Sequence, residues 1–299
     1  MPRLAALLML LAAPTAYAQL AFEAVRGSDT LLVVGSIHAL DRDSSALGPY
    51  LEAAAERATS FAFEVDLDGS ERYDLALEAR IRLPEGKSLW RQLPDSTRQA
   101  LSAVLSAREH KNLDRLRPWA VAETVHEQAP ARGSSRETFW GVDNTILRIA
   151  QRRRRPVHGL ETVKFQLDTF GGMTWDEEVA YLDYALRERT RPDALAPLIR
   201  LWRAGDFATF EALVMAPSAW SAGLRERILD RRNVAWMPRI DELAAGERLL
   251  VVVGAAHLAG PMGVPTLLRE RGYAVRQVAE AVAPSPVRPS PKTRPRSKY

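Results

Sequence analysis

The chain has 299 residues, 46% of them hydrophobic, and no cysteine, so no disulfide framework holds it together and it must rely on its core. Its net charge of +4 belongs to its ends: without Arg3 and the five cations of residues 283–299 the remainder carries −2. That balance excludes a basic nucleic-acid-binding face.

The chain opens on Met1-Pro2-Arg3, an apolar run from Leu4 to Ala13, and Ala16-Tyr17-Ala18 in the small-x-small pattern of a cleavage site. Residues 1–18 therefore read as a secretory signal peptide, with a mature chain starting at Gln19 and a periplasmic or secreted location. The apolar run falls short of the ~20 residues of a membrane-spanning helix, and no later stretch reaches that length. With no cysteine at the cleavage site, a lipid anchor is excluded.

Residues 19–282 read as one α/β domain. "FEAVRGSDTLLVVGSIHAL" predicts a hairpin with a Gly-Ser-Asp turn. "SSALGPYLEAAAERAT" has helical spacing, and "SFAFEVDL" is the next strand, ending at Glu64 and Asp66. Strand–helix–strand order points to a parallel pair with a crossover helix. "PDSTRQALSAVLSAREH", "RPWAVAETVHEQA" and "GVDNTILRIAQRRRR" are helical, and "PVHGLE" is a short strand. From Thr174 to Gly246 the pattern is helical, with breaks near Pro192, Gly205 and Pro217. "ERLLVVVGAAHLAG" is a second buried strand, "VPTLLRERG" a helix stopped by Gly272, and "YAVRQVAE" a last strand. The fold class is α/β: a mixed or mostly parallel central sheet built from N- and C-terminal strand-rich segments, with a large helical insertion. Residues 283–299, a Pro/Ser/Arg/Lys sequence without apolar periodicity, read as a disordered basic tail.

One pattern occurs twice. "LLVVGSIH" ends on His38 and "LLVVVGAAH" on His257, each with a glycine, Gly35 or Gly254, three residues before the histidine. A buried parallel strand offers polar chemistry only at its end, and ligands gather beyond the carboxyl ends of such strands. If the two strands are neighbours, His38 and His257 share one crevice with Glu64. Two histidines and a carboxylate are a set known from hydrolytic zinc sites, and Mn, Fe or Co suit it as well. The competing readings are structural. Glu64 alone caps a helix or pairs with an arginine, and His158 precedes its glycine instead of following it. His110 and His126 belong to amphipathic helices, and Arg152–Arg155 close a helix at its negative end. Arg232 and Asn233 either cover the site with donors or join a surface ion pair with Asp230.

These motifs resemble the TraB/GumN family, related to the Tiki metalloproteases and more distantly to erythromycin-esterase and ChaN-like proteins. The resemblance rests on "VVGSIHAL", "FAFEVDL", "GVDNTILRIAQRRRRPVHGLET", "ILDRRNVAWMPRI" and "VVVGAAHLAGPMGVPTLLRERGYAV", while Tyr73–Glu137 adds little. It implies an α/β fold with His38, His257 and Glu64 around one site, and in Tiki-like members divalent-metal-dependent peptide hydrolysis. The expectation is an exported hydrolase that uses Mn, Co or Zn on a peptide or protein substrate. Its metal ligands are His38, Glu64 and His257. Glu64, Glu161, Arg232 and Asn233 take catalytic roles, Arg232 against oxyanion charge. Gly35, Ser36, Asp143 and Gly254 support them, with Glu161 or Asp143 orienting a ligand histidine. Two alternatives stay open: a non-enzymatic haem- or metal-binding protein with the same histidines, and a metal-independent esterase. The absence of a Gly-x-Ser-x-Gly elbow weakens the esterase and leaves Ser36 as its one candidate nucleophile.

Overall fold

The computed structural model describes residues 19–37, 47–66, 75–127, 141–190, 195–216 and 222–278. The expected leader (1–18), the tail (283–299), His38 and the breaks near Pro192 and Pro217 lie outside the described residues.

β1 (Ala21–Arg26) and β2 (Asp29–Ser36) form the expected hairpin, from Ala21 opposite Val34 to Arg26 opposite Asp29. Gly27 makes the turn at φ +60°, where a side chain would be strained. With β3 (Ser60–Phe63), β4 (Val157–Gly159), β5 (Arg248–Gly254) and β6 (Ala274–Gln277) they build a six-stranded sheet in the order β4-β3-β5-β2-β1-β6. The pairs β4/β3, β3/β5 and β5/β2 are parallel, and β2/β1 and β1/β6 antiparallel. β2 and β3 run the same way, as their order along the chain predicts, but β5 lies between them. Its five central residues, Leu249–Val253, are all buried, which suits a strand flanked by neighbours on both sides and covered on both faces.

The helical insertion comes in two parts, one between β3 and β4 and one between β4 and β5. "PDSTRQALSAVLSAREH" is not one helix but two, Asp95–Val104 and Ala107–Leu113. Ser106 and Glu109 form a reciprocal capping box that starts the second helix. Buried apolar side chains gather in two clusters. One surrounds the sheet and includes Trp202 and Trp236. The other lies among the inserted helices around Trp119, Phe170, Tyr181 and Leu182. The two clusters meet near Ala256, just past the end of β5, and that contact seats the helices beside the carboxyl edge of the sheet.

Among the described residues, no helix is long and apolar enough to cross a membrane.

Candidate active site

The four parallel strands end at one edge. In spatial order, β4, β3, β5 and β2 lead to Glu161, Glu64, His257 and Ser36. Beyond the β3/β4 ladder, Leu160 N donates to Phe63 O at 2.8 Å and Glu161 N to Glu64 O at 2.9 Å, which sets the two glutamates side by side. Gly159 permits this approach, since a Cβ there would lie 2.8 Å from Asp66 N and from the Glu161 carbonyl oxygen. β5 runs into a tight turn, Ala255–Leu258, which carries His257. The turn packs on Gly35, where a Cβ would meet Leu258 Cδ1 at 2.7 Å and Ala255 Cα at 3.0 Å. The two repeated strings lie in register at their leucines, Leu31 opposite Leu249. The second string has one more valine, so Ser36 and not Gly35 faces Gly254.

Arg232 stands at the centre. The helix Arg231–Ala244 presents Arg232, Asn233, Trp236, Met237, Ile240 and Ala244 on its buried face. A π-helical segment, Glu226–Asp230, precedes it, a feature frequent at functional sites. Arg232 Nη2 donates to Glu64 Oε2 at 2.7 Å and to Glu161 Oε1 at 2.6 Å, and Nε reaches both Glu161 oxygens at 3.1 and 3.2 Å. Trp236 Nε1 donates to Glu161 Oε2 at 2.7 Å. Asp230 pairs with Arg225 instead, which removes the surface-pair reading of Arg232.

Burial works against charge in this cluster. It pulls the Arg232 guanidinium down, but the carboxylates of Glu64 and Glu161 overcome it and hold the guanidinium above its usual range, firmly charged. Burial pushes Glu161 up, against the opposing pull of Arg232 and Trp236. Both Glu161 oxygens are occupied by Arg232 and Trp236, so this carboxylate serves to hold Arg232 in place. Glu64 is the more open of the two, with its side chain 18% exposed against 3% for Glu161.

His257 lies under the same guanidinium. Its Nε2 is 3.3 Å from Arg232 Nη1 and 3.7 Å from Glu64 Oε1. Its Nδ1 is 2.6 Å from Asn233 Oδ1. Asn233 is thus the residue in contact with this ring nitrogen, while Glu161 bonds to Arg232 and Trp236. Gly254 N donates to Glu64 Oε1 at 2.7 Å, which gives this glycine its place in the site. Asp143 lies in the first turn of the helix Val142–Arg152, whose first N–H bonds to the Ile37 carbonyl at 3.3 Å. That places Asp143 beside the chain leaving β2. His158 is half-buried within β4, and burial followed by the charge of Arg239 holds it below its usual range. His110 stacks on Trp90 at 4.2 Å, and His126 packs edge-on against Tyr181 and Tyr184, so both are packing residues.

The donors suit part of a divalent-ion site. Two ligands each about 2.0–2.2 Å from one ion are compatible with the 3.7 Å between Glu64 Oε1 and His257 Nε2. At the same edge, Ser36 Oγ is buried with no hydrogen-bond partner among the described residues. Among those residues no three His, Asp or Glu side chains gather as a metal cage, and the third expected ligand, His38, lies outside them.

Trp236 is the functional neighbour that motif reading missed. It contacts His257 with ring centroids 4.5 Å apart and carries the Arg232 guanidinium 4.9 Å over its ring. The spacing Arg232, Trp236, Ile240, Ala244, four residues apart, marked that face as buried.

The model of the TraB/PrgY/gumN family matches residues 21–277. The chain is 25% identical over 241 residues to the uncharacterized protein YbaP of Escherichia coli (strain K12), covering 79% of this chain and 87% of that protein. It is equally similar to the YbaP of Shigella flexneri. No solved structure matches.

Proposed function

Because the chain belongs to the TraB/PrgY/gumN family and brings a glutamate and a histidine together at the expected sheet edge, we propose that it is an exported, divalent-metal-dependent hydrolase acting on peptide bonds. The observation that carries this reading is the meeting of Glu64 Oε1 and His257 Nε2, 3.7 Å apart, at the ends of the adjacent parallel strands β3 and β5. In this reading His257 holds the metal through Nε2, Glu64 through Oε1, and His38 is the third ligand. A bound divalent ion supplies an acidified water and polarises a carbonyl. Arg232 provides a fixed positive charge beside the reacting carbonyl, where oxyanion charge develops, and Glu161 and Trp236 keep it from moving. Export is the part of the proposal that rests on Met1–Ala18.

Ser36 gives the esterase alternative no support, since it is 3% exposed and offers no open nucleophile. Metal analysis of the mature chain, stripped with a chelator and reloaded with Mn, Co or Zn, tests the proposal. One ion per chain is expected, lost in His257→Ala and in Glu64→Gln. A wild-type chain that takes up none of the three metals overturns it.

A further inference from the structure

We propose that Asn233 is a positioning residue that locks His257 in its Nδ1–H tautomer and leaves the Nε2 lone pair facing Arg232 Nη1, beside Glu64. The use of that lone pair as a metal ligand rests on the hydrolase reading; the tautomer rests on geometry alone. Asn233 Nδ2 lies 2.8 Å from the Met262 carbonyl oxygen and 3.2 Å from the His257 carbonyl oxygen. Carbonyl oxygens only accept, so the amide nitrogen must face them and Oδ1 must face the imidazole. Oδ1 is itself only an acceptor, and at 2.6 Å from Nδ1 it requires a proton on that nitrogen.

The other side of the ring gives the same answer independently. The neighbour of Nε2 is Arg232 Nη1 at 3.3 Å, and a guanidinium only donates. In the neutral Nε2–H tautomer that proton would point at a donor, and the bare Nδ1 would face Asn233 Oδ1, an acceptor. Flipping the ring would put carbon atoms against both partners. With Asn233 1% exposed and His257 4% exposed, water cannot replace these bonds.

The choice of an amide has a chemical consequence. A carboxylate at this position would orient the ring equally well but would add a third negative charge beside Glu64 and Glu161. The amide adds no such charge, and in the Nδ1–H tautomer Nε2 is left as an acceptor. Asn233 touches no reacting group itself; it acts through His257.

The test is a long-range proton–nitrogen correlation spectrum of the mature, chelator-treated chain labelled with ¹⁵N-histidine, with His257 identified by its absence in His257→Gln. The expected spectrum shows one tautomer, protonated at Nδ1 and bare at Nε2. In Asn233→Ala the ring should average between both tautomers, while Asn233→Asp, which keeps the acceptor, should retain the Nδ1–H form. An Nε2–H tautomer in the wild type, or an unchanged Nδ1–H tautomer in Asn233→Ala, overturns the proposal. Should Asn233→Ala fail to fold, the wild-type spectrum still decides. Zinc then separates the two readings. Zinc should shift the Nε2 resonance, with affinity about 10–100-fold weaker in Asn233→Ala. A wild-type Nδ1–H tautomer with no response to zinc, manganese or cobalt removes the hydrolase reading and leaves the tautomer standing.

Discussion

Arg232 is 3% exposed and gives its N–H groups to two carboxylates, a backbone carbonyl and the edge of an imidazole. A charge this deep is held only by its partners, because returning it to water is not an option within the fold. Glu161→Gln keeps the shape but removes the charge opposite Arg232, and should cost about 3–5 kcal/mol, the range for breaking one side of a buried pair. Urea unfolding measures this; a loss under 1 kcal/mol would show that Glu64 alone suffices. A second residue carries a pH signature far from the site. Burial lowers His126 from 6.5 to about 4, so the folded chain holds it neutral. Its contribution to stability is therefore complete above about pH 6.5 and is lost as pH falls through about 4. The full span corresponds to about 3 kcal/mol. His126→Phe should flatten the fall in unfolding free energy over that window relative to wild type. Parallel curves for the two chains would mean that His126 takes up its proton alike in the folded and unfolded chain.

At the level of elements, the site depends on how closely β2 and the turn after β5 approach. Gly35 sits under Leu258 and Ala255: an added Cβ would meet Leu258 Cδ1 at 2.7 Å and Ala255 Cα at 3.0 Å, closer than such contacts normally come. Gly35→Ala should shift Leu258 and with it the His257 turn, and should destabilise the chain by about 1–3 kcal/mol, with metal uptake lost in parallel. A stable Gly35→Ala chain with unchanged metal content would show that the turn has slack. This contact also explains what the sequence could and could not disclose. The repeat of an apolar run, a glycine and a histidine pointed both strands to one sheet edge on the condition that they are neighbours, and the parallel β2/β5 ladder meets that condition. Glu64 followed from the same logic at the end of β3. The pairing of Arg232 with Glu64 and Glu161 was not legible. Those residues lie 168 and 71 positions apart from Arg232, and nothing local announces which helix face will meet which strand end. Asn233 was visible as a residue but not as a partner of His257, since an amide's orientation is decided by the Met262 and His257 carbonyls, which only the fold brings together. The split of "PDSTRQALSAVLSAREH" into two helices, by contrast, was written in Ser106-x-x-Glu109.

At the level of the whole molecule, charge and chemistry are separated. Residues 19–282 carry −2 and residues 283–299 carry five cations and no acid. At pH 7 a cation exchanger should retain a chain of residues 19–299 and should not retain one of residues 19–282. Retention of both would mean that the body presents a cationic face of its own. The candidate site, in contrast, draws one group from each of several elements: Glu161 after β4, Glu64 after β3, His257 after β5 and Arg232 from the helix that leads into β5. Such a site exists only when the sheet and the helices beside it are assembled together. The measurement that tests its purpose most directly is peptide hydrolysis by the mature chain before chelation, after chelation, and after adding back Mn, Co or Zn, with His257→Ala and Glu64→Gln alongside. Turnover that the chelator abolishes, one of the metals restores and both variants lack is the predicted result; turnover indifferent to the chelator, or retained in either variant, would contradict the account.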